Sequence, residues 1–294
     1  MSDGTLAAQA ALDSEFHVNN YYWIASFALL YYDYLLTINQ EMIFFWRRRI
    51  TFASGLFFAC RYLSLFGNVP VILQTFGYWP PDSSTCHSLQ TYHQLFSSGI
   101  QSLVAVTLIT RTYALYGRSR RILALTCFTW LCAGAIAFWS LTRTPSTDSS
   151  PTMSFDSFGC GLSIDTHAAA KRLGVAWVGV VVFDTEILIL TVWKTVKLSK
   201  FGGGQLVHVL LRDGSIYYAI LTAANISQIL TFWYASPLLK GVSTTFVTVI
   251  SVIMISRAMM NLQEPERLKS TGYLDSLPGQ GTFDESELCF SEFD

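Results

Sequence analysis

The chain has 294 residues and a formal net charge of −1; 51% of its residues are hydrophobic and only 13% are charged. Ordinary soluble domains carry about 25% charged residues, and here the charges gather between long uncharged stretches, which excludes one large aqueous core. A balance this close to neutral leaves no electrostatic footprint for nucleic acid.

Residues 1–17 read as an exterior tail without the basic and apolar run of a cleavable signal peptide. The first apolar segment, about 18–38, is long enough to span a bilayer and to act as a signal anchor. Six more follow at about 52–76, 93–115, 122–141, 173–193, 215–235 and 242–260, each near the roughly 17–25 residues that a bilayer core requires. Lipid offers no partners for open backbone groups, so such segments must be helical. The expected fold is therefore all-α, a polytopic membrane protein with a seven-helix transmembrane domain over 18–262.

The connections set the expected orientation. Arg47, Arg48 and Arg49 follow the first segment; Arg118, Arg120 and Arg121 the third; Lys194, Lys197, Lys200 and Arg212 the fifth; Arg257, Arg267 and Lys269 the seventh. The opposite loops are poorer, with no base from 77 to 92, Arg143, Lys171 and Arg172 from 142 to 172, and Lys240 before the seventh segment. Cytosolic loops retain Lys and Arg, which places the amino terminus outside and the carboxyl tail in the cytosol. From Glu264 onward the tail holds eight acidic residues against Arg267 and Lys269, and 263–294 is read as disordered. The plasma membrane is the default location, with other endomembranes left open.

Ionisable residues inside spans are the sharpest functional clue: Asp33, Arg61, Asp184 and Glu186. An unpaired charge at mid-bilayer costs roughly 2.5–3.5 kcal/mol even on the lenient insertion scale. Depth predicts an Asp33–Arg61 ion pair between the first two helices. Asp184 lies mid-way along the fifth segment, at a depth shared by Asn225 and Gln228 on the sixth, with Trp233 farther along. Glu186 points about 200° away from Asp184 round the helix. Asp184, Glu186, Asn225, Gln228 and Trp233 are candidates for a ligand-binding or switching group; the alternative is glue between helices.

The histidines, His17, His87, His93, His167 and His208, include no spaced pair on an apolar helix beside an acid, and His87, His93 and His167 read as solvated loop residues. No metal, cofactor or catalytic set is expected, and the chain is not read as an enzyme. Cys86 and Cys160 both face the oxidising side, where a Cys86–Cys160 bridge is favoured over two free thiols.

Several pieces carry a resemblance. Tyr32-Asp33-Tyr34-Leu35-Leu36-Thr37, then Glu41, Trp46 and the Arg run, then Arg61-Tyr62, resemble the amino-terminal signature of a fungal membrane family, the domain of unknown function 6533, at about 21–66. The run Arg111-Thr112-Tyr113-Ala114-Leu115-Tyr116-Gly117-Arg118 and the pieces Leu211-Arg212-Asp213-Gly214 and Tyr217-Tyr218 match as well. The resemblance implies a fungal multi-pass membrane protein of this topology. The cysteine pair is also similar to that of rhodopsin-like G-protein-coupled receptors. Arg111 lies 25 residues after Cys86, about 37 Å along a helix, at the cytosolic rim where those receptors latch helix three to helix six. Here the triplet is Thr110-Arg111-Thr112, without the acidic neighbour, and a snorkelling Arg accounts for it equally. Arg111, Tyr113, Arg118, Arg212 and Asp213 are the candidate latch or partner contacts.

The expected function is receptor-like or sensory, with a small-molecule ligand among the third, fifth and sixth helices and a cytosolic signalling partner. A transporter or channel using the intramembrane charges is the alternative, and a membrane-embedded enzyme the third.

Overall fold

The computed structural model describes residues 3–46, 51–77, 84–142, 167–200, 205–235, 239 and 242–270. Among the described residues the chain forms seven α-helices and one π-helical turn, with no strand. The helices are α1 (Asp3–Glu41), α2 (Phe52–Phe76), α3 (Ser84–Leu115), α4 (Arg120–Thr142), α5 (His167–Lys200), α6 (Gln205–Tyr234) and α7 (Ser243–Ser270); the π-turn, Met42–Trp46, directly follows α1.

Four stretches, Phe52–Phe76, Arg120–Ser140, Lys171–Lys197 and Ser243–Asn261, are long and apolar enough to cross a bilayer, the build of a membrane protein. The other three helices also carry polar residues on their inner faces, as α2 does at Arg61, Ser64 and Asn68. α1 buries Asp33, Thr37 and Glu41; α3 buries His93, Ser97, Gln101 and Arg111; α6 buries Thr222, Asn225 and Gln228. Apolar side chains are exposed on their outer faces, as at Leu35 and Leu36 on α1, Leu95 on α3 and Leu230 on α6.

α7 is the central helix. In its spanning stretch 72% of the residues are buried, against 11% in α4, and it packs on α1, α2, α3 and α6. α5 lies between α4 and α6. Peripheral α4 turns Phe128, Leu131 and Phe138 outward, an apolar surface suited to lipid. Ile100, Val104 and Leu108 of α3 form the main core with Phe183 and Ile187 of α5, Leu221 of α6 and Ile255 of α7. Between lipid-bathed helices such contacts act through close packing rather than through expulsion of water.

Local chemistry fixes the ends. Thr51 and Ser54 form a reciprocal capping box at the start of α2. α3 ends with Gly117 at φ 61°; its N–H bonds Ala114 O, and the next N–H, from Arg118, bonds Tyr113 O, each at 3.0 Å. These two bonds close a Schellman turn. The Tyr116 hydroxyl donates to Leu190 O at 2.8 Å and ties that turn to α5. Pro70 interrupts the amide ladder of α2. The carbonyl that loses its amide is that of Phe66, and the carbonyls on either side of it accept from other helices, Leu65 O from the Tyr31 hydroxyl at 3.3 Å and Gly67 O from the Tyr92 hydroxyl at 2.9 Å.

Several helices run past the expected segments: α1 begins at Asp3, within the stretch 1–17 read as an exterior tail, and α3 at Ser84, ahead of residue 93. α1 continues to Glu41, beyond residue 38, and α7 to Ser270, into the stretch read as disordered tail. The rest of the acidic tail, the Arg47–Arg49 run and the long loop containing Cys160 lie outside the described residues.

Candidate functional site

Buried charge gathers where α1 finishes. Arg61 of α2 and Glu41 of α1 approach to 2.7 Å with side chains 4% and 0% exposed. The contact is one of charge, for the Arg61 Nε–H is not aimed at the carboxylate. Arg61 directs Nη2 to Thr37 Oγ1 at 2.5 Å and to Tyr34 O at 3.2 Å, and its guanidinium lies 4.9 Å from the centre of the Tyr34 ring. The other oxygen of Glu41 accepts from the Tyr62 hydroxyl at 2.7 Å and from Trp46 Nε1 at 3.0 Å. The Trp46 bond spans five residues, the reach of one π-helical turn, and holds the indole back against its own helix end.

Asp33 takes a different partner from the one expected. Arg257 Nε of α7 donates to Asp33 Oδ1 at 2.6 Å. The predicted Asp33–Arg61 pair is therefore replaced by two pairs, Arg61–Glu41 and Arg257–Asp33. Depth alone brought Asp33 and Arg61 together; both actual partners lie beyond or at the edge of the segments drawn from hydropathy. Asp33 and Arg61 still share the walls of one cavity of about 10 Å³, with Leu30, Tyr34, Leu65, Val252, Ile253 and Ser256. Such a space admits about one water molecule.

A second polar group joins α5 to α6. Asp184, 4% exposed, accepts from Asn225 Nδ2 at 2.5 Å, and Asn225 is wholly buried. Gln228, one turn along α6, does not join them. Its amide donates to Thr244 Oγ1 at 2.6 Å and its carbonyl accepts from the Ser243 hydroxyl, so it fastens α6 to the start of α7. Glu186 stands apart: both carboxylate oxygens are buried without a hydrogen-bond partner. Trp233, 49% exposed, sits on the outer side of the bundle, its indole lying over Gly174 of α5. A helical offset of five residues from Gln228 turns it away from the buried face.

Arg111 of α3 is 9% exposed and points Nη1 at the Tyr218 hydroxyl of α6, 3.5 Å away. On the same end of α6, Tyr217 accepts from Asn261 of α7 at 3.0 Å. Tyr113 contributes its carbonyl to the turn that ends α3, and Arg118 is exposed on that turn at φ 60°. Arg212 and Asp213 fall in α6, but their side chains are outside the described residues, as is that of Cys86. The expected Cys86–Cys160 bridge thus lies outside what the structure describes; among the described residues Cys60, Cys127 and Cys132 are free thiols.

His93 corrects another expectation. It is 6% exposed, its Nε2 shares a hydrogen bond with Thr245 Oγ1 of α7 at 2.9 Å, and its ring centre lies 5.3 Å from that of Trp23. α3 begins at Ser84, nine residues before the expected span start at 93, so His93 belongs to a helix interior. Spacing gave a usable signal here, since His93, Ser97 and Gln101 recur at i, i+4 and i+8. Glu41, Trp46 and Tyr62 were visible as signature residues, and Arg257 as a flanking base, without their partners being evident.

No curated protein and no solved structure matches the chain. Residues 21–66, which supply Asp33, Tyr34, Thr37, Glu41, Trp46, Arg61 and Tyr62, match the family model described as a family of unknown function, DUF6533, and are similar to it over the segment that builds the α1–α2 charge cluster.

Proposed function

We infer that the chain is a seven-helix receptor-like membrane protein, amino terminus outside and tail in the cytosol, in which α6 is the switching element. The observation that carries this reading is the way α6 is tied: by Asn225 to Asp184 of α5, by Tyr218 to Arg111 of α3, and by Tyr217 to Asn261 of α7. In lipid, polar contacts of this kind govern how helices sit, because apolar contacts distinguish little between helix and acyl chain. A small molecule offering Asp184 a better donor than Asn225 releases one tie. The helix then repartitions between two sets of contacts, as a two-state switch requires. Arg111 in this reading latches α3 to α6 through a phenol, where rhodopsin-like receptors use other groups. Arg118, Arg120 and Arg121, with Arg212 and Asp213, face the cytosolic partner.

The test is nucleotide exchange on candidate G proteins by the purified full chain in nanodiscs. Tyr218→Phe and Asn225→Ala should each raise exchange above the unsubstituted chain, because each removes one tie. No exchange by any of the three proteins, across a broad G-protein and ligand panel, would overturn the reading.

A second reading is favoured by one specific observation, the two unpartnered buried oxygens of Glu186. A carboxylate with no partner inside the bundle suits a proton or cation relay. Glu186→Gln should then abolish ion-coupled flux in proteoliposomes; absence of flux in the unsubstituted chain counts against it.

A further inference from the structure

The polar interior extends beyond α5 and α6. On α3, His93, Ser97 and Gln101 share one face over about 12 Å of helix rise, and they are 6%, 7% and 8% exposed. His93 Nδ1 has no hydrogen-bond partner, nor has Gln101 Nε2 two turns along. From α7, the facing helix at His93, Thr245 and Thr248 bring hydroxyls that are also buried. Aromatic contacts run from His93 to Trp23, on to Phe27 and then to Phe76. They bring Phe76, at the end of α2, against α1. Beyond Gln101 the seam is closed by Val104, Leu108 and Val252 of the apolar core.

A buried polar atom left unbonded in a lipid-bathed bundle costs several kcal/mol. Native interiors meet that cost with a partner, either protein or bound solvent. Two such atoms on one face of α3, an imidazole nitrogen that can accept and an amide N–H that donates, define the partner's chemistry. It is small, carries both donors and acceptors, and is uncharged, since the groups that face it, Trp23, Ser97, Thr245 and Thr248, are neutral. We propose that the seam between α1, α3 and α7 is a hydrated site, holding water at rest and admitting small uncharged hydrogen-bonding solutes. It is built on helices other than the α5–α6 pair and does not depend on the receptor reading.

The test uses the full chain in nanodiscs with Ser97→Cys and Gln101→Cys, and with Ser98→Cys and Ser102→Cys as neighbours that face outward. Methyl methanethiosulfonate reacts with the thiolate, which forms only where water reaches it, so cysteines at 97 and 101 should be modified at least about tenfold faster than those at 98 and 102. Equal or slower reaction at the inward positions overturns the proposal. Added glycerol should slow the inward reaction if solutes enter; an unchanged rate overturns that half and leaves water as the occupant. Hydroxyl-radical labelling of the unsubstituted chain is independent of any folding defect in the variants. His93 should label where Phe183, 1% exposed in the dry core, does not, and equal protection of both removes the site.

Discussion

Arg61 and Glu41 meet at 2.7 Å with almost no solvent contact, and the carboxylate also serves Tyr62 and Trp46. Removing one member of such a pair strands a charge in the bundle, at a cost of about 3–5 kcal/mol, whereas removing both charges together is close to neutral. Arg61→Met and Glu41→Gln should therefore each lower the thermal midpoint of the detergent-solubilised chain strongly. The double variant should recover most of the loss, because the amide oxygen introduced by Glu41→Gln can still accept from Tyr62 and Trp46. A double variant as unstable as the worse single one would show that the two charges do not depend on each other.

The Asp33–Arg257 pair should behave asymmetrically. Asp33 has a side chain 8% exposed, while that of Arg257 is 38% exposed. Arg257→Gln leaves a buried carboxylate without its cation, a cost of about 1–3 kcal/mol. Asp33→Asn leaves an arginine that can lean into water, and its cost should stay below about 1 kcal/mol. Thermal unfolding of the two variants side by side measures the difference, and a larger loss in Asp33→Asn would contradict this account of the pair.

Which parts of this were legible beforehand depended on where a residue sits relative to a segment end. The apolar stretch 52–76 coincides with α2 because its ends are sharp: Thr51 caps one and Gly77 follows the other. α1 and α7 have no such punctuation, and hydropathy stops counting when charged residues begin. Glu41 thereby falls outside the first segment, and Arg257, near the end of 242–260, counts with the bases that follow the seventh segment, so Asp33 and Arg61 are left to pair with each other. The Asp184–Asn225 contact was readable from depth, since both residues lie mid-helix on neighbouring segments. Depth does not give the rotation of a helix about its axis, which is what sends Gln228 to α7 and Trp233 to the outer surface.

The Asp184–Asn225 bond predicts a measurable coupling. Asn225→Leu leaves a buried carboxylate with no donor and should cost about 3 kcal/mol or more, while Asp184→Leu with Asn225→Leu removes donor and acceptor together. Hydrogen bonds between spanning helices average only about 0.6 kcal/mol in double-mutant cycles; a 2.5 Å contact to a carboxylate should exceed that average clearly. Unfolding free energies of the two single variants and the double variant close the cycle, and a coupling near zero would mean that Asn225 does not support Asp184.

Gly179 and Gly134 test the α4–α5 interface against an internal control. A Cβ on Gly179 would meet the Cβ of Ala133 at 3.1 Å and its Cα at 3.2 Å, whereas one on Gly134 would meet nothing within 4 Å. The contacts at Gly179 are with the Cβ of Ala133, which no rotation can move, and with its backbone Cα, so relief requires the two helices to separate, and small residues at such crossings are what allow close approach in lipid. Gly179→Ala should destabilise by about 1–3 kcal/mol, the usual cost of overpacking. Gly134→Ala should be neutral or stabilising by up to about 1 kcal/mol, since alanine is the better helix former. Opposite signs in the two thermal midpoints would locate the α4–α5 contact at Ala133 and Gly179. A neutral Gly179→Ala would place the helices farther apart than the Ala133 contact requires.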